Sequence, residues 1–197
     1  MRLRQVHGAV VRVLKKGAID PTDAAARPQA DAMISNAPGV VLAVQVADCV
    51  PILLSTPDGT VVAAVHAGWR GTAAGVVTAA IRTLTREFGT PAEELLVALG
   101  PSIGGCCYEV GTELIDAFRA LGADDDQIAR WFMRTTDGSL RLDVATANVD
   151  QIQTMGVPSN QIFQAGLCTK THNQWFESYR AAGPRAGRMA GLIRVRP

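Results

Sequence analysis

Ala64-Val65-His66-Ala67-Gly68-Trp69-Arg70-Gly71-Thr72 joins an apolar run, Val61 to Val65, to the start of a helical pattern at Thr72. The run predicts a buried strand that delivers His66 at its end. Gly68 and Gly71 then bracket Trp69-Arg70 in a strand-to-helix turn, which exposes backbone N–H groups beside a helix N-terminus. An imidazole there can bind metal or move protons, and a guanidinium can hold an anion. The structural alternative is an ordinary βα turn with a packed Trp and a surface Arg.

The preceding segment adds weight to a site. Val40 to Ala47 is almost continuously apolar, which predicts a strand buried on both faces. Asp48-Cys49 interrupts it, and Val50-Pro51-Ile52-Leu53-Leu54 resumes it, with Pro51 predicting a bulge or a break in pairing. Thr56-Pro57-Asp58-Gly59-Thr60 is a hairpin signal. A four-residue turn closed by Thr56 and Gly59 sets Cys49 opposite His66. A two-residue Asp58-Gly59 loop shifts the register by two and sets Pro51 opposite His66. Either way Cys49 and His66 fall within a residue or two across the ladder, where directly opposed Cβ atoms lie about 5 Å apart. A thiolate and an imidazole so placed can share a tetrahedral zinc or form a Cys–His nucleophile pair.

His7 interrupts another short apolar stretch, Gln5 to Val11. The chain has only three His. Two of them and one Cys each break a clean strand, and three protein ligands with an open fourth position is the donor pattern of a catalytic zinc. Asp48 points away from Cys49 in an extended chain and is read as a supporting partner, a base or a structural ion pair. Cys106-Cys107, in the glycine-rich Gly100 to Gly111 connection, reads as a redox pair or as small residues packed under a loop. Cys168-Thr169-Lys170-Thr171-His172 offers a C-x3-H spacing, a weak pattern more typical of a loop. Arg180 and Arg188 read as surface charge or as anion ligands.

Composition narrows the classes. At 197 residues the chain supports a core and one domain. A formal net charge of +1 gives no global attraction to nucleic acid or an anionic membrane. No apolar run is long enough to span a bilayer, and the N-terminus shows no secretory leader pattern. Four Cys, two adjacent, suit a reduced cytoplasm better than a disulfide framework. The remaining pattern predicts a helix over Thr72–Phe88 with Ala73, Val76, Val77, Ala80, Ile81 and Leu84 inward, a buried strand over Leu95–Leu99, and a helix over Thr112–Leu121. It further predicts a helix from Leu140 to Met155, a strand at Ile162–Leu167 and a final strand to Val195. Ala-, Asp- and Pro-rich residues up to Gln29 predict a loop able to cover a site. Alternating helices and strands with hairpins predict an α/β (α+β) fold, with mixed sheets packed between helices.

The ordered motifs QVHG, ADCVPILL, AVHAGWRGT, GPSIGGCCYEVG, LDVATAN, CT and SYR…GR resemble one family over nearly the whole chain. It is the family labelled multicopper polyphenol oxidase or laccase, also described as purine nucleoside phosphorylase with adenosine deaminase activity and as peptidoglycan editing factor. The resemblance implies zinc held by His7, Cys49 and His66, with copper as the alternative metal. It implies phosphorolysis of adenosine, inosine, guanosine and methylthioadenosine, and deamination of adenosine. With Arg70 as the catalytic anion clamp, and Arg70, Gly71 and Thr72 binding substrate, the expected partners are a purine nucleoside and phosphate, bound by a cytoplasmic monomer. Family members usually carry a further segment before QVHG, which this sequence does not include, so one wall of the nucleoside pocket is expected to be missing. A copper-dependent polyphenol oxidase, a metal-stabilised non-catalytic binding protein and a metal-free Cys–His hydrolase are the competing readings. Three His are few for a multicopper oxidase.

Overall fold

The computed structural model describes residues 1–17 and 27–196. Its elements are β1 (Val11–Leu14), β2 (Ala32–Ser35), β3 (Val41–Val46), β4 (Val50–Ser55), β5 (Val62–Ala67), α1 (Trp69–Ala73), α2 (Val76–Phe88) and β6 (Leu96–Leu99). Then follow β7 (Glu109–Val110), α3 (Glu113–Ala120), α4 (Asp125–Trp131), β8 (Phe132–Arg134), β9 (Leu140–Leu142), α5 (Val144–Thr154), β10 (Ile162–Gln164), α6 (Tyr179–Ala182) and β11 (Met189–Arg194). The central sheet runs β1-β2-β5-β4-β6-β10. Its two outer pairs are parallel and its inner pairs antiparallel, so the sheet is mixed as expected.

Period-2 alternation along β5 sends neighbouring side chains to two different cores. Ala63, Val65 and Ala67 face the larger one, where Val76, Val77, Ala80, Ile81 and Leu84 of α2 pack with residues of α3, α4 and α5. Val62 and Ala64 face a smaller core closed by Leu42 and Val44 of β3 and by Val195. The β3–β11 ribbon therefore forms a third layer on the side of the sheet away from the helices.

Several expectations are corrected. β3 is buried on one face only: Leu42 and Val44 pack into the smaller core, whereas Val41 on the other face meets solvent. β6 likewise alternates, with Leu96 outward. The helix expected over Thr72–Phe88 is broken in two at Gly75, whose φ of 73° is left-handed. Its buried stripe is otherwise as read, and Gly89 ends it with φ 74°. Leu140–Leu142 is a strand rather than helix. Asp143 then starts α5 by accepting the Thr146 N–H. The covering loop expected before Gln29 falls mostly at 18–26, outside the described residues.

The β4–β5 hairpin takes the second of the two registers, with Pro51 opposite His66. The turn is longer than two residues. Thr56 N–H donates to Val61 O, and Gly59 N–H donates to Thr56 O. Asp58 staples it by accepting from Thr56 Oγ1 at 2.6 Å and from Thr60 N at 3.1 Å. Pro51 does not interrupt pairing with β5. Its missing N–H falls on the other side, beyond the last β4–β6 pair, Ile52 with Leu99. There the Pro51 carbonyl accepts from Gly100 N, and a Cβ on Gly100 would lie 2.8 Å from Pro51 Cγ.

Ile81→Ala removes a fully buried side chain from the helix-facing core and is expected to cost about 2–5 kcal/mol. Arg82→Ala, on the solvent side, should stay within about 0.5 kcal/mol. Urea unfolding of both variants checks this, and equal losses would contradict the assigned helix face.

Candidate metal centre

Three segments converge at the C-terminal end of β5. His66 occupies its next-to-last position, Cys49 directly precedes β4, and His7 comes from the N-terminal segment. Their ligand atoms all lie within 4.8 Å of one another. Cys49 Sγ is 3.9 Å from His7 Nε2, and the two imidazole rings meet edge to face at 4.8 Å. The structure thus brings together all three residues singled out in the sequence.

Two of the three positions depend on unusual backbone. His7 has φ 60° and Asp48, just before Cys49, has φ 84°, a region L-residues rarely adopt. Each is held by a carboxylate. Asp31, fully buried, accepts the N–H groups of Val6, His7 and Gly8, at 2.7 Å for Gly8. It also contacts His66 Nδ1 at 2.8 Å, which leaves Nε2 to face Cys49 and His7. A carboxylate on the far nitrogen is the usual support of a metal-binding imidazole. Asp48, in turn, accepts from Thr169 Oγ1 and from the backbone N–H of Arg180, both at 2.6 Å. Asp48 is therefore a strut between the Cys49 turn and the C-terminal segment. The imidazole partner is Asp31, which the sequence reading passed over. Its signal was available: a lone acid opening the apolar run Ala30 to Ile34.

The electrostatics suit a cation. Burial opposes the charge on Asp31, but His66 and the three backbone donors outweigh it and hold the carboxyl below its usual range. Burial likewise opposes ionisation of Cys49, yet His66 and His7 bring that thiol down to about 7. Burial disfavours charge on His66 too, but Asp31 and Cys49 raise it to about 9. The Cys49 thiolate and the His66 imidazolium thus favour one another. Gly68 keeps the space open, since a Cβ there would lie 2.8 Å from Cys49 Sγ and 2.9 Å from His7 Cδ2. Tetrahedral zinc with S and N ligands needs donors about 3.5 Å apart. One thiolate and two imidazoles within the observed spacing fit such an ion.

The triad sits in a cavity of about 620 Å³. Trp69, Tyr108 and Tyr179 contribute aromatic walls, and Arg70, Arg180 and Arg188 contribute cations. The Arg70 guanidinium stacks on Trp69 at 4.4 Å, and Arg180 lies 5.0 Å from the Tyr108 ring. Arg180 also donates to Glu109 O at 2.7 Å. Burial and the Cys49 charge push Tyr108 up to about 12, so it is a neutral phenol at physiological pH. Of the residues read as a substrate turn, Arg70 lines this cavity. Gly71 and Thr72 are buried beneath it. Thr72 N–H is spent on Gly68 O, and its hydroxyl accepts from Asn148 Nδ2 at 2.8 Å. The C-x3-H spacing is a loop: His172 Nδ1 contacts the Cys168 carbonyl, and the ring stacks on Trp175.

One Cys and two His at the foot of a cationic, aromatic-walled cavity in a mixed α/β fold define a candidate metalloenzyme centre. The chain belongs to the family described as multi-copper polyphenol oxidoreductase laccase, whose model matches residues 1–196. It is 38% identical over 165 residues to a purine nucleoside phosphorylase of Bacteroides thetaiotaomicron, covering 84% of this chain and 60% of that one. It is 33% identical over 196 residues to an adenosine deaminase from an unknown prokaryotic organism, covering 97% and 73%. The crystal structure of YlmD from Geobacillus stearothermophilus superposes with a TM-score of 0.87 at 32% identity, over 99% of this chain and 73% of that one. The chain therefore spans some three fifths to three quarters of the length of these proteins.

Loaded with zinc and desalted, the wild-type protein should hold about one ion more per chain than Cys49→Ala. Equal zinc in both would remove Cys49 from the site. In chelator-treated protein, Cys49 alkylation followed by peptide-resolved mass spectrometry should be half-maximal near pH 7. His66→Gln removes the neighbouring imidazolium and should move that midpoint upward, toward the ordinary thiol range. An unmoved midpoint would show that His66 does not hold the thiolate.

Proposed function

We propose that the chain is a zinc-dependent purine nucleoside phosphorylase, acting on adenosine, inosine, guanosine and methylthioadenosine, that also deaminates adenosine. The observation that carries this reading is the union of His7, Cys49 and His66 with Arg70 in one cavity large enough for a nucleoside. The names of the relatives support the same two reactions. In phosphorolysis a phosphate oxygen bonds to C1′ of the ribose as the glycosidic bond breaks, and the purine leaves with the bonding electrons. The clamp for the phosphate is Arg70, whose planar guanidinium offers paired donors and is braced on Trp69. Arg180 and Arg188 add positive potential over the same cavity. The faces of Trp69, Tyr108 and Tyr179 suit stacking against a purine, and the Tyr108 phenol can donate to a heteroatom of the base.

His7, Cys49 and His66 would hold the zinc, which supplies Lewis-acid polarisation or an activated water. Asp31 fixes the His66 ring and keeps its Nε2 directed inward. Deamination uses the same base-binding walls and requires no phosphate, so the two activities separate at Arg70. In this reading the enzyme acts as a monomer. The free thiols support a cytoplasmic home. No helix among the described residues is long and apolar enough to cross a membrane. The family description favours a second reading, copper-dependent oxidation of phenols.

Arg70→Ala should lower kcat/KM for adenine release from adenosine plus phosphate by roughly a hundredfold, while inosine formation without phosphate changes little. Parallel loss of both would exclude a phosphate-specific role for Arg70. If zinc-loaded wild type gives neither adenine nor inosine, yet copper-loaded protein oxidises phenols, the nucleoside reading falls to the second.

A further inference from the structure

A second cluster of metal-ligand type lies behind the first. Cys106, Cys107 and Cys168 place three sulfurs within 4.8 Å of one another, and Cys106 Sγ and Cys107 Sγ are 3.6 Å apart. None of them bonds to His7, Cys49 or His66, and the nucleoside reading does not use them. The chain builds this arrangement in several steps. The glycine-rich connection turns sharply at Gly104, whose carbonyl accepts the N–H groups of Cys107 and Tyr108 at 2.9 and 3.0 Å. That turn brings both neighbouring thiols to the same side. An isolated parallel bridge between Ser102 and Cys168 brings in the third cysteine from a distant part of the chain. Gly104 leaves the space between them, because a Cβ there would lie 3.4 Å from both Cys106 Sγ and Cys168 Cβ. Gly105 fits the same account, with Asp143 Cβ only 3.2 Å from where its Cβ would be.

The surroundings favour a thiolate at Cys168, whereas burial and the two neighbouring thiols push Cys106 up to about 12, so a bound ion must displace that proton. Gly104 N–H donates to Cys168 Sγ at 3.3 Å, a hydrogen bond that stabilises the anion. Arg141 donates to the Cys106 carbonyl at 2.7 Å and sets a cation beside the cluster. Cys106 is exposed and Cys168 buried. Both line a cavity of about 210 Å³ that gives an ion a way in.

We propose that Cys106, Cys107 and Cys168 form a second metal site, a trigonal thiolate site for a monovalent soft ion, copper(I). Metal–sulfur bonds of about 2.3 Å set the sulfurs of a trigonal site about 4 Å apart, which small side-chain rotations reach from the observed spacing. Thiolates select soft ions. Structural zinc closes its shell with four ligands. Among the described residues this cluster stops at three, and Asp143 on the cavity wall is engaged at the α5 N-terminus. The site is linked mechanically to the first. Ile103 N–H donates to Asp48 O, and Thr169, next to Cys168, donates to the Asp48 carboxylate.

The test uses copper(I) itself, added anaerobically to metal-free protein under reductant with bathocuproine disulfonate as competitor. Cys49→Ala disables the first centre and should still take about one copper(I) per chain from the chelator. X-ray absorption of that copper should show a sulfur-only shell. Cys49→Ala/Cys106→Ser and Cys49→Ala/Cys168→Ser should lose it. The exposed Cys106 position keeps the test valid should the buried Cys168 variant fail to fold, and thermal melting verifies each protein. The proposal is overturned if Cys49→Ala takes no copper(I), or if the Cys106 double variant, still folded, retains the same ion. Preferential uptake of zinc over copper(I) by Cys49→Ala would overturn the assignment of the ion.

Discussion

The Asp31 carboxylate is the constraint on which the site depends. A buried charge without partners costs several kcal/mol, so the fold must bring donors to it. It does so with three consecutive N–H groups, Val6 to Gly8, and with His66 Nδ1. Those donors come from two different places in the chain, the N-terminal segment and β5. Satisfying one carboxylate therefore also sets two candidate ligands. The backbone accepts a left-handed His7 in return, a conformation that costs roughly 1–2 kcal/mol and is offset by the charge-assisted bonds to Asp31. The Asp31 carbonyl adds a further tie, accepting His66 N–H at 2.7 Å. Position and ring orientation of His66 are thus set by the same residue.

Asp48 plays the matching part on the other side. Its backbone turns the chain between β3 and β4, two strands that belong to different sheets. Cys49 stands at the point of transfer. The strained φ lets the chain change layers within a few residues, and the Asp48 side chain uses the turn to anchor Thr169 and Arg180. The cavity mouth is in this way tied to residues far downstream. Arg180 then reaches from its anchored backbone across to Tyr108 and Glu109. Cations and aromatic walls meet over the triad because this strut holds them together.

The hairpin shows how far local chemistry carries. The Thr56-Pro57-Asp58-Gly59-Thr60 turn uses a Thr hydroxyl and an Asp carboxylate to close itself. Thr135-Thr136-Asp137-Gly138-Ser139 does the same between β8 and β9. Such turns are self-contained, so their sequences are informative in isolation. The reading nonetheless left the β4–β5 register between two values, because the pairing also depends on how β2 and β6 flank the hairpin. The helix stripe from Val76 to Leu84 was legible for the same local reason. The break at Gly75 was not, since a single Gly in a helical pattern carries no statement of its φ.

Sequence alone determined the mixed α/β character, the buried strand β5 and the grouping of His7, Cys49 and His66. In each case a polar, chemically competent residue breaks an apolar run, and burial makes such breaks costly unless they have a partner. Sequence could not determine which carboxylate supports His66. Asp48 was the nearer candidate along the chain, and Asp31 becomes the partner only when β2 pairs with β5. Nor could it separate Arg70, which faces the cavity, from Gly71 and Thr72, which lie beneath it, because a helical turn of three residues spans opposite faces. The one-sided burial of β3 and the meeting of Cys168 with Cys106 and Cys107 belong to the tertiary structure as well. Both depend on partners far away in sequence, and local patterns carry no record of which distant segment will pair with which.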